Sequence, residues 1–308
     1  MKKNFIVAFR CRTFSSISLL LLQLVLLGLY GCEKEETDST TSSVTVFRPG
    51  YLDVESGLRI TMYGNDDDLR YNIYYSNKGK IDYITTAGYA IDGRYTLNEK
   101  GDRLSFASDE RITREGEDLE ETWTLSYNAQ GYLSGANGNA TFYEGDEAEI
   151  IRVELSFTYD SNSHLTKMSV VDYEGSVIES TSISLSWENN LLQLAEISAS
   201  YGGDGEMSSY SEKYKYYYDK DEYVNTYRQL TPCIEDYVEL YMLGLFSSLG
   251  LLGVGPDKLP SKIDNIDYDS QGRERVSSHN ANYLFNDNGA IIYSGIANST
   301  YSYELAGK

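Results

Sequence analysis

The groups from which this chain could assemble chemistry are two histidines, three cysteines and 47 acidic residues. His164 and His279 each fall in or near a turn. A zinc site or a serine triad needs an imidazole held by a partner, and neither an HExxH nor a GxSxG string occurs. Both histidines therefore read as ordinary surface residues. Asn65-Asp66-Asp67-Asp68 clusters carboxylates as a calcium site does, but without the alternating ligand and glycine order of a calcium loop. Gly202-Gly203-Asp204-Gly205-Glu206-Met207 comes near the glycine-rich calcium nonapeptide, yet Met207 stands where that motif requires aspartate, so a hairpin turn is the better reading. Paired carboxylates for glycoside hydrolysis cannot be singled out, because so many acids always allow some pair. No catalytic residue, metal ligand or cofactor is expected.

The cysteines carry more information. Met1 to Gly31 holds Lys2, Lys3, Arg10 and Arg12, no acid, and an apolar run from Ile17 to Tyr30. That run is short for a membrane-crossing helix and reads as a secretory signal. It ends Leu29-Tyr30-Gly31-Cys32, which resembles the lipobox of bacterial lipoproteins and implies that Cys32 is the acylated first residue of the mature chain. The next residues, Glu33-Lys34-Glu35-Glu36, resemble the export signal of Bacteroidetes lipoproteins, with Lys34, Glu35 and Glu36 as its charges; a plain solubilising tether is the alternative. Cys11 leaves with the signal and lipid consumes Cys32, so Cys233 alone remains and no intrachain disulfide can form. The signal removes four basic residues from a chain of net charge −21, leaving −25 over 277 residues. Such a surface repels phosphates, so nucleic acid is not a partner.

The elements that would carry any site are strands. Residues 33 to 43 are polar and read as a flexible tether, within a segment 32–43, and 44–308 reads as a single β-rich domain. Trp123, Leu125 and Tyr127 alternate with Thr122, Thr124 and Ser126, while Ile151, Val153, Leu155, Phe157 and Tyr159 alternate with Arg152, Glu154, Ser156 and Thr158. Further strands follow at Ile183 to Trp187 and Tyr214 to Tyr218, with Asn137-Gly138 and Gly202-Gly203 as hairpin turns. A loose repeat punctuates them, an aromatic or apolar residue followed four positions later by glycine or a small polar one. Tyr75 leads to Gly79, Leu97 to Gly101, Tyr127 to Gly131, Tyr159 to Ser163, Trp187 to Leu191, Tyr218 to Glu222, Tyr268 to Gly272 and Phe285 to Gly289. The fold class is all-β, an antiparallel up-and-down meander curled into a barrel-like sheet, with one helical insertion near 231–250. Thr231-Pro232 is read as that helix's N-cap and first turn, Gly250 or Gly253 as its end, and the apolar residues through Pro260 as docking on the sheet or plugging an opening.

The 29 tyrosines mostly suit a sheet with one wet face. The group Tyr214, Tyr216, Tyr217 and Tyr218, flanked by Tyr210 and Tyr223, is the candidate sugar-stacking or protein-binding surface.

The lipobox, the YDSQG-type turns and the Gly/Leu-rich insertion LGLFSSLGLLGVGPDKLPSKI running into IDYDSQGR resemble a Bacteroidetes lipoprotein family of unknown function, described as porin-like in fold. The resemblance spans about residues 44 to 305 and implies no activity, cofactor or catalytic residue. Period-two strands alone do not exclude a membrane-spanning barrel; the lipid anchor and the apolar connection at 230 to 262 favour a sheet that does not span. The resulting reading is a non-enzymatic outer-membrane lipoprotein facing the cell exterior, with the periplasmic face as alternative, that binds a glycan or protein partner. A structural envelope component is the second reading, and a glycan hydrolase the third.

Overall fold

The computed structural model describes residues 48–64, 70–87, 91–100, 103–108, 112–114, 117–144, 147–174, 177–203, 206–234, 242–268, 271–296 and 298–306. The signal, Cys32, Lys34, Glu35, Glu36 and the Asn65–Asp68 cluster lie outside them. The chain enters through β1 (Tyr51–Asp53), β2 (Leu58–Gly64), β3 (Arg70–Tyr75) and β4 (Ile81–Ala87). β5 (Ile91–Lys100), β6 (Arg103–Ser108) and β7 (Ile112–Arg114) lead to the long strands. These are β8 (Glu117–Tyr127), β9 (Leu133–Glu144), β10 (Glu147–Tyr159) and β11 (Leu165–Glu174), then β12 (Val177–Glu188), β13 (Leu191–Gly203) and β14 (Glu206–Tyr217). Two short helices follow, α1 (Thr231–Ile234) and α2 (Leu243–Ser248). The chain ends in β15 (Lys262–Tyr268), β16 (Glu274–Asn280), β17 (Tyr283–Phe285), β18 (Ile291–Ser294) and β19 (Ser299–Leu305).

Pairing is antiparallel throughout and follows chain order from β8 to β16. β19 returns to pair with β2, tying the carboxyl-terminal strands to the amino-terminal ones. The meander is therefore as the alternation requires. Among the described residues, no ladder joins β16 to β17 and no sheet closes into a barrel.

Period two explains which face is buried. Trp123 and Leu125 on β8, Val153, Leu155 and Phe157 on β10, and Ile183 and Leu185 on β12 enter one core with residues from β2 to β4 and α2. Asn137-Gly138 is not a turn. Both residues lie inside β9, where Gly138 pairs with Trp123, and a Cβ on Gly138 would stand 2.7 Å from the indole. The glycine makes room for a tryptophan. Gly202-Gly203 does end its strand, with a two-residue connection to β14.

The recurrent turns have a common chemistry where they join neighbouring strands. Asn128, Asp160 and Asn286 each accept two backbone N–H bonds on Oδ1, from the second and fourth residues downstream, at 2.8–3.0 Å. Gly131, Ser163 and Gly289 then take positive φ, which lets the strand resume after a bulge. Several aromatics near strand ends have a further task. Tyr75, Tyr159, Trp187, Tyr218 and Tyr303 donate at 2.7 Å to the carbonyls of Ile60, Leu133, Leu165, Leu192 and Ile291 on neighbouring strands. Two copies deviate. Trp187 to Leu191 is a two-residue turn through Asn189 and Asn190, both left-handed. Tyr218 to Glu222 opens a long connection, because β14 pairs next with β15.

That connection is the apolar insertion. Within the span 231–250 expected to be helical, the described residues hold α1 and α2, and residues 235–241 lie outside them. Pro232 sits in the first turn of α1 as expected, but the Thr231 hydroxyl is hydrogen-bonded to Ser247 Oγ at 3.0 Å. Gly250, at φ 73°, ends α2: its N–H reaches Ser247 O and the Leu251 N–H reaches Phe246 O. Beyond it, Leu249 to Leu259 runs as a strap across successive turns. Leu249 O accepts from Gly50, Leu251 O from Leu133, and the Val254, Asp257 and Leu259 N–H groups donate to Ser163, Asn190 and Tyr223. The apolar side chains beneath it, from Leu243 to Leu252, enter the same core as the strands.

The opposite face of β8 to β14 is polar. One register row reads Ser126, Gly135, Ser156, Ser169, Ser182, Ser198 and Ser211 across the seven strands. A membrane-spanning barrel turns its apolar residues outward to lipid; these strands turn theirs inward. Among the described residues, no helix is long and apolar enough to cross a membrane.

Candidate functional site

The four singled-out tyrosines do not form one surface. Tyr214 and Tyr216 point into the core, where the Tyr216 hydroxyl donates to Cys233 O at 3.0 Å and the Tyr214 hydroxyl to Glu212 Oε1. Tyr218 is half-buried, with its hydroxyl on Leu192 O. Only Tyr217 alternates to the polar face, between Lys215 and Lys262. His164 is not a surface residue: it is buried, stacked on Trp187 at 4.3 Å, with Nδ1 3.0 Å from Asp160 Oδ2. His279 is exposed on β16.

Tyr217 belongs to a charge cluster centred on Asp264. Lys262, Ser278 and Tyr217 hydrogen-bond that carboxylate, holding its pKa down at about 2 from an ordinary 3.8. A depressed carboxylate stabilises the fold above its unfolded pKa and loses that contribution as pH falls through the folded one. Asp264→Asn should therefore lose about 1–2 kcal/mol at neutral pH and flatten the stability profile between about pH 4 and pH 2. Denaturant midpoints at the two ends of that window check this. An unchanged slope would place the acid sensitivity elsewhere.

Among the described residues, two concavities could admit a ligand. A shallow groove of about 470 Å³ lies over the serine row of β11 to β14. The second, about 600 Å³, lies at the turn end, in the size range of small-molecule sites. It is walled by β1, by Tyr132 after the β8–β9 turn, by residues 226–230, and by Ser247 to Val254 of the insertion.

The walls are rigid for local reasons. Arg228 adopts φ 49°, a left-handed conformation uncommon outside glycine and costly in strain. Several bonds hold it: the Arg228 N–H to Asn225 O, the Gly255 N–H to Arg228 O, and the Asn225 side chain to the Gln229 N–H, Gln229 O and Pro256 O. Gly255 approaches so closely that a Cβ would stand 2.4 Å from Gln229 O. Tyr227 is tied by its hydroxyl to Asn288 O, and Tyr51 by its hydroxyl to Gly79 O. Tyr132 is half-buried beside Tyr159, ring centroids 5.7 Å apart, and burial pushes its hydroxyl pKa up.

The two charged residues in the lining, Arg228 and Asp53, are already committed. Arg228 pairs with Asp257; burial would raise the pKa of Asp257, but the bonds from Arg228 and Asn190 outweigh it and bring it down. Asp53 is held below its usual range chiefly by Ser56 and spends its carboxylate on the Glu55 and Ser56 N–H groups of its own turn. One acceptor is left over. Gln229 gives its Nε2 hydrogen to the Tyr303 hydroxyl, while its Oε1 is buried without a hydrogen-bond partner among the described residues. Sequence reading missed this site because its walls come from four distant segments; Tyr132 and the left-handed Gly250 and Gly253 were its only local signals.

A second polar group missed in the sequence lies inside the core. Glu121 is buried, accepting the Tyr95 hydroxyl at 2.7 Å and the Trp123 indole N–H at 2.8 Å. Period two puts it on the same face as Trp123.

A scan against models of known protein families finds no match, and a search of curated proteins finds none. Among solved structures the chain is similar to a porin-like protein from Bacteroides vulgatus ATCC 8482, at 14% identity and a TM-score of 0.50, over 80% of this chain and 97% of that one. A porin-like protein from Bacteroides uniformis ATCC 8492 aligns at 14% identity and a TM-score of 0.47, over 81% and 96%. At this identity the first likeness is one of fold: the chain shares a porin-like fold.

Proposed function

We propose that this protein is a lipid-anchored outer-membrane lipoprotein, facing the cell exterior, whose β body is a non-catalytic binding module for a glycan or protein partner. The observation that carries the binding role is the preorganised turn-end cavity, whose strained Arg228 and committed charges are held in place before any ligand arrives. Asp53, the carboxylate in its lining, is occupied by its own turn, which supports binding over acid–base hydrolysis. The anchor is read from Leu29-Tyr30-Gly31-Cys32. Two or three acyl chains, each contributing about 0.8 kcal/mol per buried methylene, hold a protein where one short chain would not.

Cys32→Ala should abolish labelled palmitate incorporation and leave the β body folded. Labelled mutant, or wild type released in full by a salt wash, removes the lipoprotein assignment. Replacing Lys34, Glu35 and Glu36 by alanine should keep the lipid and lose protease accessibility on intact cells; unchanged accessibility reduces those charges to a soluble tether.

A further inference from the structure

We infer that β16 is an interface strand that pairs, edge to edge and antiparallel, with β16 of a second copy of this chain. The pairing is independent of the turn-end cavity and of any ligand there. Among the described residues three strands pair on one side only, β1, β16 and β17, and two of these are blunted. β1 is three residues long and irregular in register; β17 is as short, carries a bulge and buries Tyr283 against Tyr223. Short strands and bulges are how sheets keep free edges from pairing. β16 has neither. Its register on β15 runs unbroken from Glu274 to Asn280, and all seven of its residues are exposed.

The phase of that ladder decides which backbone groups are on offer. The Ala281 N–H donates to the carbonyl of Ser261 directly across from it, so His279, Ser277 and Arg275 also turn their N–H and C=O groups to β15. Glu274, Val276, Ser278 and Asn280 turn theirs away. A second copy related by a two-fold axis through Ser277 matches them all. Glu274 then lies opposite Asn280, Val276 opposite Ser278, Arg275 opposite His279, and Ser277 opposite its own equivalent. No carboxylate faces a carboxylate and no arginine an arginine. The two Glu274 side chains stand about 20 Å apart along the strands, beyond the Debye length of about 8 Å at physiological salt. The uncharged centre holds Val276, an apolar side chain 54% exposed in the single chain. A copy therefore satisfies the edge in parity and in charge. The strand pair alone covers roughly 250 Å² on each copy, far below the ~1,200 Å² of a stable interface, so pairing is transient in dilute solution. Confinement of both copies to one membrane surface raises their effective concentration.

Disulfide trapping in intact cells that express the full chain tests this. The two-fold axis brings the Ser277 Cα atoms to about 4.5 Å, within disulfide range, and Cys233 is buried and does not compete. Ser277→Cys should give at least ten times the disulfide-linked dimer of Ser186→Cys, an exposed position on β12 that reports random collision. Adding Val276→Pro removes an outward N–H and leaves the β15 ladder intact. It should cut the dimer at least tenfold with the thermal midpoint of the purified chain unchanged. If that variant unfolds, Val276→Lys, which places a charge on the edge, decides in its stead. A dimer yield no higher than the collision control, or one that survives in the folded edge variant, overturns the pairing. Ser277→Cys linked chiefly to a different protein overturns the second copy as the occupant of the edge.

Discussion

Phe246→Ala is expected to destabilise the protein by about 3–5 kcal/mol, the range for deleting a fully buried aromatic ring. Phe246 lies on α2 with no exposed surface and meets the edge of Trp123 at a centroid distance of 6.0 Å. Its loss leaves a hole bounded by strands on one side and the strap on the other. The strap is held to the turns by backbone hydrogen bonds, so it cannot collapse freely into that hole. In a domain of this size the change corresponds to a fall in thermal midpoint on the order of 10 °C. Val276→Ala, at an exposed position on β16, is the control and should shift stability by less than about 0.5 kcal/mol. Equal effects of the two would mean that the insertion is not part of the core.

Glu121→Leu should cost about 2–4 kcal/mol although it makes the interior more apolar. The substitution removes the acceptor now used by the Tyr95 hydroxyl and the Trp123 N–H, and each buried donor left unmatched costs about 1–3 kcal/mol. Glu121→Gln retains one carbonyl acceptor and should cost less than half as much. Chemical denaturation with the tryptophan emission as probe measures both. A leucine variant as stable as the wild type would show that the two donors find other partners at no cost.

The strands were legible because their alternation is clean. Trp123 and Leu125 against Thr122 and Thr124 give a face and a period that no helix shares, and the observed register keeps that face inward. The errors came where one residue type serves two ends. Gly138 was read as a turn because glycine permits positive φ, but it is there for the volume of Trp123. His164 was read as exposed because it sits in a turn; the turn acid Asp160 and the stacked Trp187 bury it. Tyr214, Tyr216 and Tyr217 were grouped by sequence proximity, although period two alone sends the first two inward and the third outward. The insertion's apolar run announced burial, and its destination among the turns did not show. That destination depends on backbone groups of Leu133, Ser163 and Asn190, which carry no side-chain signature.

The central claim is that the turn-end cavity is where this protein meets its ligand, and a crystal of the mature chain soaked in a disaccharide such as cellobiose tests it most directly. The account predicts ligand density in the turn-end cavity, against Tyr132 and Tyr227. Density over the serine row of β11 to β14, with the turn-end cavity holding no sugar at saturating concentration, would contradict it.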